Sequence, residues 1–206
     1  MASQITEEIV PLAEQAMHRL KSSNERFLCS TSLFPGVWKG LLTVLAKGQN
    51  PYAAVLSCSD SRVPPELIFD AGFGDLFVVR VAGHVLSPEV SGSIQYADAK
   101  LNTPLLVVLG HEDCGAVRAA VEAKWHGVRP LPRIKILVDE IIPALADVDP
   151  MLPARELLSR AVEANVRWTI RQILESRAGQ TCPAEDRMKL VGAVYDIESG
   201  RVNFLT

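Results

Sequence analysis

Only four cysteines occur in 206 residues, and no two of them are spaced as Cys-x-x-Cys. That is too few for a disulfide scaffold and leaves no thiol-redox pair, so a cysteine near a histidine reads as a metal ligand or a nucleophile. Basic residues are not in excess either. Lys+Arg total 21 against 24 Asp+Glu, a formal net charge of −3, which argues against nucleic acid as a partner. No apolar run approaches the roughly 18–20 residues of a membrane helix. The first ten residues carry Glu7 and Glu8 where a signal peptide is cationic and then apolar. These absences predict a soluble, cytoplasmic chain with no membrane partner. Internal repeats, low-complexity tracts and an obvious linker are also lacking. With 48% hydrophobic residues, the expectation is one domain over residues 1–206, made of an N-terminal helical arm (1–50) and a core (51–206).

Apolar periodicity supplies the elements. Ile9, Leu12, Ala13, Ala16, Met17 and Leu20 recur at helical spacing, and Trp38, Leu41, Leu42 and Leu45 mark a second stripe that ends at Gly48. From Pro51 onward, short apolar runs alternate with helical patterns, as in parallel strands buried on both faces by crossover helices. The strands are expected at Tyr52–Ser57, Leu76–Arg80 and Leu105–Leu109, with a closing pair at Lys189–Tyr195 and Val202–Leu205. Helices are expected from Pro64–Glu66 onward, over Glu89–Asn102, from Gly115, over Arg133–Ala146 and over Pro153–Arg177, with Ala178–Asp186 as a loose region. The fold class is α/β, with a mostly parallel sheet of core order 2-1-3, since right-handed crossovers place strands one and three side by side only in that arrangement.

Such an order creates a switch point beyond the C-termini of strands one and three, where open parallel sheets bind ligands. Cys58 lies at one of these ends, and His111 and Cys114 at the other. Two thiolates and an imidazole suit zinc, and three protein ligands with a fourth position open make a catalytic rather than a structural site. Read singly, Cys58 and Cys114 would be buried small hydrophobes; their joint placement with His111 at adjacent strand ends outweighs that reading. Cys29 and Cys182 fall outside the pattern and are expected not to bind metal. Asp60 and Arg62 follow Cys58 at spacings of two, so all three can face one crevice. A guanidinium fork on Asp60 would keep the carboxylate ionised and off the metal, whereas a released Asp60 could become the fourth ligand.

The segments Cys58-Ser59-Asp60-Ser61-Arg62-Val63-Pro64-Pro65-Glu66 and Gly110-His111-Glu112-Asp113-Cys114-Gly115-Ala116-Val117 closely resemble those of the β-class carbonic anhydrases. So do Asn24-Glu25-Arg26-Phe27, Gly74 to Arg80, Gly92-Ser93 and Val191 to Asp196, which extends the likeness over most of the chain. The resemblance implies a zinc enzyme, one Zn2+ per chain on Cys58, His111 and Cys114, that interconverts carbon dioxide and bicarbonate with an Asp60–Arg62 dyad. It also implies self-association as a homodimer or dimer of dimers, with the N-terminal helix packed on the neighbouring subunit. The stripe of residues 9–20 is compatible with that arm. Three positions depart from familiar patterns. Gly72 stands where plant-type members carry a substrate-binding Gln, His84 where many relatives have Asn, and Ser23 where Gly is frequent.

In such a site zinc lowers the pKa of a bound water so that hydroxide attacks carbon dioxide. Asp60 would orient the hydroxide, and the Gly115 N–H, at a helix start, would meet the developing bicarbonate oxygen. Candidates for carrying the proton out are His84, Tyr96 and buffer, although a lone His after a strand reads first as a hydrogen-bonded structural residue. Carbonyl sulfide or carbon disulfide hydrolysis uses the same attack and is the nearest rival function. A non-catalytic zinc-dependent assembly subunit is the remote one, and the presence of both Asp60 and Arg62 argues against it.

Overall fold

Runs such as Ala53–Ser57 and Leu105–His111 are apolar or small at nearly every position, and each forms a strand buried along its whole length. The computed structural model describes residues 2–29, 43–176 and 188–205. Helix α1 (Ala2–Leu28) leads into β1 (Ala53–Ser57), the short α2 (Pro65–Ile68), β2 (Leu76–Arg80), a 3-10 turn (Ala82–His84), α3 (Pro88–Ala99), β3 (Leu105–His111) and α4 (Gly115–Trp125). Helix α5 (Pro132–Ile141) runs on into a second 3-10 turn (Ile142–Leu145), followed by the long α6 (Ala154–Glu175), β4 (Lys189–Tyr195) and β5 (Val202–Phe204). The strands form one five-stranded sheet in the order β2-β1-β3-β4-β5, parallel except for the final β4–β5 pair. The expected 2-1-3 core is therefore present, and β3 continues two residues past the expected end, so that His111 pairs with Tyr195.

Alternation along the strands divides the core into two layers. Ala53, Val55, Leu105, Val107 and Leu109 pack with α1, α4, α5 and the start of α6. Ala54, Leu56, Leu106 and Val108 pack with α3 and, through Val166 and Ile173, with the rest of α6. Proline at the first turn opens α2, α3 and α5, where its missing N–H is not needed.

In helix α1, Ala13, Ala16, Met17 and Leu20 of the stripe are buried against their own chain and Leu12 is half-exposed, while the side chain of Ile9 lies outside the described residues. Further along, Asn24 donates to the carbonyls of Ile68 and Gly200 and accepts from the Val202 amide. Ser23, also buried, accepts from Arg26, so the departure from Gly is absorbed by a local hydrogen bond. Trp38, Leu41 and Leu42 of the second stripe, and the region Ala178–Asp186 with Cys182, lie outside the described residues.

Candidate metal centre

Register places the site. Ser57 pairs with Leu109 across β1 and β3, so the chain leaving β1 at Cys58 and the end of β3 at His111 emerge together at the C-terminal edge of the sheet. Cys114 then caps α4 from the β-region, turned there by Asp113 at φ 56°. The ligand atoms of Cys58, His111 and Cys114 all lie within 4.8 Å of one another, and all three residues are buried.

Their chemistry fits a metal ion. Nδ1 of His111 is 2.8 Å from the Glu112 carbonyl oxygen, which can only accept, so the proton sits on Nδ1 and Nε2 carries a lone pair. That Nε2 is buried and has no hydrogen-bond partner among the described residues. The two sulfurs are 4.0 Å apart and share a proton: the hydrogen bond from Cys114 pushes the Cys58 thiol down, and the same contact with burial pushes Cys114 up. The Gly83 amide donates to the Cys58 sulfur at 3.4 Å, and Cys114 stands at the N-terminus of α4. An unpartnered imidazole lone pair facing two hydrogen-bonded thiols is a donor set for a thiophilic cation such as zinc.

Asp60 stands beside this group, its Oδ2 4.0 Å from Nε2 of His111. Arg62 grips it with Nε on Oδ1 at 3.0 Å and its terminal nitrogen on Oδ2 at 2.7 Å, and the Arg62 amide also donates to Oδ1 at 2.9 Å. These contacts hold the Asp60 carboxyl well below the usual carboxylate range, chiefly through the Arg62 side chain. The dyad read from the sequence is thus assembled at the ligand cluster. Gly115 begins α4 as expected, and a Cβ there would meet nothing within 4 Å, so lack of room does not require a glycine.

Two features of the site escaped the sequence reading. Arg80, which ends the neighbouring strand β2, donates to the Cys58 carbonyl at 2.9 Å and to the Asp60 carbonyl at 2.6 Å, clamping the loop that carries both groups. Its place at a strand end next to β1 was the available signal. The second is Asn165 of α6, the partner of the Ala82–His84 turn. His84 is fully buried and bonded to Asn165, which removes it as a carrier of protons to solvent. Tyr96 is half-exposed and stacks on Phe77. The Gly72 amide donates to Asp75 at 2.9 Å. Cys29 is exposed and stands apart from the cluster. A cleft of about 930 Å³ opens beside the ligand loops, lined by Arg62, Glu112 and Asp113 and by residues at the start of α6, among them Arg155 and Arg160.

Comparison with known proteins gives consistent matches. A family model described as carbonic anhydrase matches residues 53–202. Carbonic anhydrase 2 of Mycobacterium tuberculosis is 39% identical over 190 residues, covering 90% of this chain and 89% of that protein. A carbonic anhydrase of Mycolicibacterium smegmatis is 38% identical over 191 residues, covering 91% and 90%. Among solved structures, the β-carbonic anhydrase CcaA superimposes with a TM-score of 0.73 at 26% identity, covering 82% of each chain. A structure from a study of two tetrameric β-carbonic anhydrases of Sordaria macrospora gives 0.72 at 26% identity, covering 80% of this chain and 85% of that one.

Proposed function

The chain belongs to the β-class carbonic anhydrases, and from that premise we propose how its residues divide the work of a zinc-dependent, reversible hydration of carbon dioxide to bicarbonate and a proton. Cys58, His111 and Cys114 hold one zinc ion. The observation that carries this assignment is the buried, unpartnered Nε2 of His111 within 4.8 Å of both sulfurs. Bound there, zinc supplies the Lewis acidity that makes hydroxide available near neutral pH.

Asp60 accepts a hydrogen bond from the reacting water at the oxygen nearest His111 and so aims a lone pair at the carbon of carbon dioxide. Arg62 occupies both Asp60 oxygens from the other side, which keeps the carboxylate charged and stops it from swinging onto the ligand cluster as a fourth ligand. The Gly115 amide, first in α4, donates toward the bicarbonate oxygen on which charge develops. The proton released leaves by solvent or buffer, since His84 is sealed in the core.

The chain self-associates in this reading, as a dimer or dimer of dimers. The tetrameric state stated for the Sordaria macrospora enzymes supports it. Among the described residues, no helix is long and apolar enough to cross a membrane.

Stopped-flow hydration of carbon dioxide, with metal analysis of the same sample, tests the function. The expected result is about one zinc per chain and rapid hydration, with carbonyl sulfide and carbon disulfide turned over poorly alongside. Zinc-loaded protein that leaves carbon dioxide untouched, or prefers a sulfur analogue, overturns it.

A further inference from the structure

Asn165 lies midway along α6, 1% exposed, and the reaction described above makes no use of it. Its side-chain nitrogen Nδ2 meets two groups of the Ala82–His84 turn, the Gly83 carbonyl oxygen at 2.9 Å and Nε2 of His84 at 3.1 Å. A carbonyl oxygen only accepts, so the first contact fixes which end of the amide faces the turn. Nε2 of His84 must then be an acceptor, with the ring proton on Nδ1. One turn further along α6, the Thr169 hydroxyl reaches the His84 carbonyl at 3.5 Å.

The opposite side of the same turn faces the ligand cluster. The Gly83 amide donates to Sγ of Cys58 at 3.4 Å. Gly83 is left-handed, at φ 69° and ψ 12°, a conformation that glycine adopts without penalty. A Cβ there would come within 2.8 Å of Cδ1 of Ile141 and 3.0 Å of Cβ of Ala116. Helices α4 and α5 thus press the turn from one side while Asn165 holds it from α6. The two ligand sulfurs are supported differently. Cys114 is placed directly by the helix it caps, whereas the Gly83 amide comes from a separate turn with only three residues of 3-10 helix to fix its direction.

We infer that Asn165 is a positioning residue for the metal centre: by gripping the Gly83–His84 turn it keeps the Gly83 amide on the Cys58 sulfur, and so sets how much charge that thiolate gives to the metal. The inference rests on the zinc reading above. Its physics is that of outer partners in metal sites generally. An N–H···S bond draws charge from the sulfur and fixes its direction, and losing such a partner typically lowers metal affinity about 10–100-fold.

The test compares Asn165→Leu, which preserves side-chain volume and removes both donors, with Ile173→Ala. The latter opens the same helix's packing about two turns away, in the other core layer and clear of the turn. Both variants and the unmodified protein are loaded with cobalt to read the thiolate-to-cobalt charge-transfer band, and with zinc to measure affinity against a chelator. In Asn165→Leu the band moves to longer wavelength, because a thiolate without its hydrogen bond gives up charge more easily, and zinc affinity falls about 10–100-fold. Ile173→Ala loses thermal stability and retains the normal band and affinity. A normal band and affinity in Asn165→Leu overturns the inference, and so does an equal shift in both variants, which would reduce Asn165 to general packing. Should Asn165→Leu not fold, Asn165→Ser, which retains a single donor, is measured in its place; it shows the same shifts in smaller measure, and their absence overturns the inference. Unmodified protein that binds neither cobalt nor zinc at Cys58 instead overturns the metal reading itself.

Discussion

Arg62 meets both oxygens of Asp60, at 3.0 Å and 2.7 Å, while the same carboxylate lies 4.0 Å from the free nitrogen of His111. One side chain thus stands between a guanidinium and a metal-binding group, and which of the two holds it decides whether the fourth position is open. The next carboxylate, Asp113, pairs with Arg118 and comes only within 3.9 Å of Arg62, so it leaves the fork on Asp60.

Arg62→Ala removes the grip. Asp60 is then free to reach the ligand cluster, so carbon dioxide hydration should fall by roughly 10²–10⁴-fold, the range for losing a positioned proton-handling group, while zinc content stays at about one per chain. Stopped-flow turnover and metal analysis on one preparation decide the matter. Near-normal turnover would remove the dyad from the mechanism.

Among the cysteines, the contrast should be sharp. Cys58→Ser, His111→Ala and Cys114→Ser should each lose zinc on dialysis, since two remaining ligands bind far more weakly. Cys29→Ser should retain it, because Cys29 is exposed and outside the cluster. Full zinc in Cys58→Ser would mean that the ligand map is wrong.

The parts legible in the sequence were those that short-range pattern dictates. Continuous apolar runs at 53–57 and 105–109 announced strands buried on both faces, crossover handedness then ordered them, and that order alone brought Cys58 to His111 and Cys114. Asp60 and Arg62 were readable because two-residue spacing fixes a common direction. What stayed hidden depends on contacts between distant segments. A helical stripe says that a face is buried but not by what, and the segments that cover Ala16, Met17 and Leu20 of α1 come from far along the chain. Likewise Arg80 and Asn165 act on backbone carbonyls 20 or more residues away, and backbone acceptors leave no mark in the sequence.

Because Leu20 is fully buried in the core layer beneath the sheet, α1 should matter to each subunit separately. Leu20→Ala should cost about 2–5 kcal/mol in chemical denaturation, the usual range for a buried leucine. Deleting residues 1–22 should destabilise the subunit as well as any assembly. Repeating the melts over a wide range of protein concentration separates the two effects. A loss that disappears at high concentration would return the helix to a partner's surface.

Hydration activity should rise with pH over roughly 7–9, since two thiolates leave a zinc centre less acidic than the three-histidine sites that work near 7. Asp60 is not the source of that rise. Its carboxyl is held well below the ordinary range by Arg62, so it is charged throughout and loses its grip only in acid, as pH falls through its lowered value. A flat profile from slightly acid to alkaline pH would contradict this assignment.

His84 offers a pH dependence of stability rather than of rate. Burial pushes its imidazole from 6.5 down to about 4 in the folded protein, while the unfolded chain titrates at the ordinary value. Between those two values the unfolded state binds the extra proton, so stability is complete above about 6.5 and declines as pH falls toward 4. For a fully buried group with this shift, the decline from pH 7 to pH 5 amounts to about 2 kcal/mol. His84→Asn removes the titrating ring and retains a polar side chain next to Asn165. Whatever it costs at pH 7, its stability should then change less between pH 7 and pH 5 than that of the unmodified protein, by about that amount. Denaturant titrations of both proteins at the two pH values measure the difference directly. Parallel losses would show that His84 takes up its proton in the folded state as readily as in the unfolded one, which the closed pocket between Gly110 and Asn165 gives it no solvent to do.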